Sequence, residues 1–108
     1  MFLTIVILLK GDFKVIDIEQ VRERKKLRLD ILAELYQLWF GGESSSLVGT
    51  KRDIYQERNT ERHLAYHYLV CSGLIDITPM DGKGMDEVLS ISITAKGIEF
   101  LESNLKNE

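Results

Sequence analysis

The chain has 108 residues, 44% of them hydrophobic, with 14 Lys and Arg against 17 Asp and Glu, which is enough for one core and too few for two. A net charge of −3 excludes a protein that coats nucleic acid through bulk electrostatics, because phosphate neutralisation by Lys and Arg dominates such binding. One Pro, eight Gly and no repeat or low-complexity tract exclude a solenoid or a linker, and the lone Cys71 excludes an internal disulfide, so a reducing, cytoplasmic setting is expected.

Charge is unevenly spread. Arg22, Arg24, Lys25, Lys26 and Arg28 crowd residues 21–28 against Glu23, whereas residues 74–108 carry seven carboxylates and three lysines. The molecule is polarised, with its positive end early.

The opening run Phe2 to Leu9 is apolar. It is far short of the roughly 20 residues that span a bilayer, and it lacks the basic lead-in and small-residue cleavage site of a signal peptide, so no membrane segment is expected. Residues 1–14 admit two readings. One is an added β-strand or dimer-forming arm. The other is a mis-called start, because Lys10-Gly11-Asp12 can be encoded by a stretch resembling a ribosome-binding site and Val15 by a GTG start codon. The domain proper is residues 15–108.

From about Ile18 to Phe40, Val21, Leu27, Ile31, Leu32, Leu35, Leu38 and Trp39 recur at spacings of three and four, the stripe of an amphipathic helix. Gly41-Gly42 ends it, and Glu43 to Ser46 is a loop. Leu47-Val48 predicts a short strand. Thr50-Lys51-Arg52-Asp53 reads as a capping box opening a second helix over about 51–57. Arg58-Asn59 makes a turn, and Asn59 or Thr60 caps a third helix running to about Ser72, where Gly73 stops it. Leu74 to Thr78 and Glu87 to Ile93 alternate as two strands around the turn-rich Pro79 to Gly84, a β-hairpin. Thr94 caps a last helix striped by Ile98, Leu101 and Leu105.

This order of elements resembles the winged helix-turn-helix, an α+β fold with a three-helix core, a hairpin wing and a C-terminal helix. The local sequences are similar too. Arg62 to Ile75, ending in Gly73-Leu74-Ile75, resembles the recognition helix entering the wing of MarR-type and PadR-type regulators, and Ile93-Thr94-Ala95-Lys96-Gly97 resembles the segment that leaves it. The likeness covers about residues 25–105. It implies binding of double-stranded DNA in transcriptional control, with the third helix in the major groove. It also implies a homodimer paired through terminal helices, with half-sites about one DNA turn apart.

On the third helix, a wheel of about 100° per residue groups Leu64, Ala65, Tyr68 and Leu69 as the core side, with Arg62, His63, Tyr66, His67 and Val70 outward. Arg62 suits a bidentate pair with guanine, His63 and His67 suit base acceptors or phosphates, and the Tyr66 hydroxyl suits a phosphate. Thr60 and the first-turn amides suit a phosphate. Lys51 and Arg52, opening the second helix, and Lys83 at the wing tip complete the phosphate set. The alternative for these positions is a solvated helix face, and for the basic run 22–28 either flanking phosphates or the wet side of a long helix.

Asp53, Glu57 and Glu61 lie close to these cations, and the wing sets Asp81, Asp86 and Glu87 against Lys83 alone. That pattern points to the rival reading, a winged-helix protein-interaction module that does not bind DNA. His63 and His67 have the i, i+4 spacing of a metal pair, but no H-E-x-x-H motif and no third ligand accompany them, so no metal or cofactor is expected. No nucleophile elbow, phosphate loop or paired carboxylates mark an enzyme. Tyr36, Trp39, Phe40 and Phe100 read as core, with a dimer face as the alternative.

Overall fold

The computed structural model describes residues 4–9, 12–41, 45–56 and 60–106, with side chains from Ile16 to Leu105 within those ranges. The chain is α+β. Strands β1 (Thr4–Leu9) and β2 (Asp12–Asp17) form an antiparallel ribbon, followed by helix α1 (Ile18–Phe40). Strand β3 (Leu47–Thr50), helix α2 (Lys51–Tyr55) and helix α3 (Glu61–Cys71) come next. Strands β4 (Ile75–Asp81) and β5 (Val88–Ile93) and helix α4 (Ala95–Lys106) complete the order.

β3, β5 and β4 make one antiparallel sheet with β5 in the centre. Every second residue of β5, Leu89, Ile91 and Ile93, is buried, the period-two pattern of a strand with one face on a core. That core joins Ile31, Leu32 and Leu35 of α1, Ile54 of α2, Ala65, Tyr66 and Leu69 of α3, Leu74, Ile75 and Leu101. No described helix is long and apolar enough to cross a membrane.

The caps explain where helices begin. Asp17, Thr50 and Thr60 each present a side-chain oxygen to a first-turn amide, at 2.9, 3.1 and 3.1 Å, satisfying donors that the helix leaves unpaired. The predicted Arg58-Asn59 turn lies outside the described residues, as do Gly42 to Ser44 of the predicted loop. α2 is shorter than expected, closing at Gln56 with φ +69°.

α3 closes where glycine permits it. Gly73 has φ +75°, its amide donates to Val70 O and the next amide donates to Leu69 O, each at 3.0 Å, the bond pair of a left-handed helix stop. The two segments quoted above for their likeness to regulators clasp each other here. The Thr94 hydroxyl donates to Gly73 O at 2.7 Å and accepts from the Gly97 amide at 3.0 Å, while the Thr94 amide donates to Leu74 O at 3.0 Å. A Cβ on Gly97 would collide with the Leu74 carbonyl oxygen.

Two expectations change. β4 runs on through Pro79 to Asp81, with a register irregularity between them; it is an edge strand, where a missing N–H costs no ladder bond. At the other end, Val15 sits inside β2 opposite Val6, so a boundary after residue 14 cuts a paired strand.

Candidate nucleic-acid interface

The wing turn, the start of α2 and the first turn of α3 meet around a cleft of about 290 Å³ lined by Lys51, Tyr55, His63, Gly84 and Met85. Three of the expected elements therefore share one surface. The Lys51 amide donates to Glu87 O at 2.9 Å, which fixes the helix start against the wing. His63 stacks against the Tyr55 ring with centroids 4.7 Å apart.

α3 is turned relative to the sequence expectation by somewhat less than one residue step of about 100°. Tyr66, expected outward, is 1% exposed and belongs to the core; Tyr55 covers its ring edge-on at 5.5 Å. Burial raises the Tyr66 phenol above its ordinary range, and the same burial keeps its hydroxyl from reaching a phosphate. Leu64 and Tyr68, expected in the core, are 49% and 50% exposed.

Arg62 is also redirected. Its Nε donates to Ile54 O at 2.7 Å and a terminal nitrogen donates to the Tyr66 hydroxyl at 3.3 Å. The guanidinium thus ties α3 to the end of α2 through two of its five N–H donors. Arg62, expected to face a base, braces α3 against α2 in this structure.

The cations expected to meet phosphate are paired with carboxylates. Lys51 Nζ lies 2.8 Å from Glu87 Oε1, and an Arg52 nitrogen lies 3.4 Å from Asp86 Oδ1. Glu61, at the front of α3, is held by two bonds of 2.8 Å from Arg24 of α1, and that hydrogen bonding keeps its carboxyl below the ordinary glutamate range. Lys83 is exposed at the wing. Thr60 is occupied as the α3 cap.

What remains outward on α3 is His63, Leu64, His67 and Cys71, flanked by Tyr68 and Val70. Glu61 is the only carboxylate on this helix. His67 Nε2 lies 3.7 Å from Cys71 Sγ, while His63 turns to Tyr55. Among the described residues no group of three His, Cys, Asp or Glu gathers at metal-binding distance.

Of the four aromatics expected in the core, Tyr36 packs against it and the other three do not. Trp39, Phe40 and Phe100 are exposed, and Tyr36 is half-buried with its hydroxyl donating to Glu102 at 2.8 Å. The chain matches no family model, no curated protein and no solved structure.

Proposed function

We propose that the chain is a winged-helix DNA-binding protein of transcriptional control, with α3 as the reading helix and β4–β5 as the wing. The observation that carries this reading is the shared surface of α2, α3 and the hairpin. On that surface α3 presents His63, with the exposed His67 one turn further along the helix, and its one carboxylate is neutralised by Arg24. His63 and His67 read bases or phosphate, and Lys51, Arg52 and Lys83 hold the backbone.

Lys51 and Arg52 must leave Glu87 and Asp86 to do so. The Arg52 pair is well exposed at both ends, and such pairs contribute little, about 0–1 kcal/mol, so its exchange for phosphate is inexpensive; the shorter, less exposed Lys51–Glu87 pair costs more to open. Binding is therefore modest and strongly dependent on salt. The test is electrophoretic and fluorescence titration of duplex DNA across ionic strength with the chain and with His67→Ala. Salt-sensitive binding that weakens in the variant is expected; binding equal in both removes α3 as the reader.

The second reading, a protein-interaction module on the same frame, is favoured by one observation: the two ion pairs between α2 and the wing consume the cations that a DNA-binding wing needs. We further propose a homodimer, paired through the ends of α1 and α4, where Trp39, Phe40 and Leu105 leave apolar surface uncovered.

A further inference from the structure

A second surface lies on the flank of α3 that faces α1. Between α1, α3 and α4 is a groove of about 310 Å³ whose floor is Leu29, Leu69 and Leu74 and whose walls include Tyr68 and Phe100. A second groove of about 330 Å³ continues it between α1 and α3, sharing Arg28 and Tyr68 and adding Leu64. Leu64, Tyr68 and Phe100 are 49%, 50% and 44% exposed, which is costly for three large apolar side chains on adjoining walls.

The charged residues lining the first groove are both basic, and Glu61, which lines the second, is paired with Arg24. Lys25 and Arg28 stand at the mouth, and neither has a carboxylate within ion-pairing distance among the described residues. Arg28 lies over the Tyr68 ring, 4.1 Å from its centre, so its charge is fixed on the wall itself. This differs from the wing side, where the cations are already paired.

We propose that this groove docks an acidic amphipathic helix of a partner protein. The lining positions on α3 run from Glu61 to Leu69, about 12 Å at 1.5 Å per residue, which accommodates two turns of a docked helix. Apolar side chains at i, i+3, i+4 and i+7 of that helix occupy the trough over Leu69 and Leu74. Its flanking carboxylates meet Lys25 and Arg28, which sets orientation and partner choice. The inference rests on the grooves and their rim and is independent of DNA binding at the wing.

The test is a titration of the full isotope-labelled chain with a designed peptide of about 14 residues bearing Leu and Phe at those spacings and Glu elsewhere. A matched peptide with Lys in place of Glu, and a duplex DNA, serve as comparisons. Saturable binding is expected, with amide shifts centred on residues 25–29, 61–74 and 100–104. Lys25→Glu at an exposed position and Arg28→Gln at a half-buried one, checked for unchanged melting, are expected to weaken it about tenfold together. Phe100→Ser provides an apolar counterpart. Equal binding of the lysine peptide, shifts centred elsewhere, displacement by duplex DNA, or no saturation below about 1 mM overturns the proposal. So does self-association of the chain through this face.

Discussion

Arg62 is where the chemistry of a side chain and its position part company. An arginine on the reading helix of a DNA-binding protein is expected to reach guanine, but here its Nε is 2.7 Å from a main-chain carbonyl at the end of α2. Arg62→Ala is therefore expected to destabilise the fold by about 1.5–3 kcal/mol, the usual worth of a hydrogen bond to a charged group, read as a lower denaturation midpoint. The change in DNA affinity should then be no larger than the loss of folded protein explains. His67→Ala should do the opposite, weakening DNA binding while melting is unchanged. Gly97 offers an independent check on packing: Gly97→Ala sets a methyl against Leu74 O and is expected to cost about 1–3 kcal/mol, typical of overpacking.

At the scale of elements, capped boundaries were legible and helix rotation was not. Thr50, Thr60 and Thr94 announce their roles by side-chain chemistry that acts within three or four residues, and Gly73 by its freedom to take positive φ, and the structure places each where that predicts; the Asp17 cap of α1 was not read from the sequence. The facing of α3 depends on what packs on it. Both Leu64-Tyr68 and Tyr66-Leu69 offer apolar pairs at helical spacing, and only Tyr55 arriving from α2 decides for the second. The acidic wing was visible in the sequence, whereas its pairing with Lys51 and Arg52 required the sheet register that brings Glu87 beside α2. That pairing yields a prediction for the element as a whole. Asp86→Asn with Glu87→Gln removes the carboxylates that compete with phosphate for both cations, so DNA binding at fixed salt should tighten; unchanged affinity would show that neither cation meets phosphate.

The Arg24–Glu61 pair clamps α3 to the long helix α1 and makes the molecule sensitive to acid. The hydrogen bonds from Arg24 keep the Glu61 carboxyl below its ordinary range. A carboxyl lowered in the folded state stabilises above its unfolded value, and that contribution is lost as pH falls through the folded value. The melting temperature of the chain should exceed that of Glu61→Gln at neutral pH, with the gap closing once the pH drops below the ordinary glutamate value of about 4.3. Both groups are largely exposed, so the gap is small and shrinks with salt. For the whole molecule the result is two differently charged faces: a wing side where cations and carboxylates are matched, and an α1 side where Lys25 and Arg28 border apolar walls. Enrichment of duplexes from a random pool at modest salt, run in parallel with the chain and His67→Ala, tests the central claim most directly. The account predicts one enriched sequence for the chain and its loss in the variant; a pool that stays random, or the same enrichment in both, would contradict it.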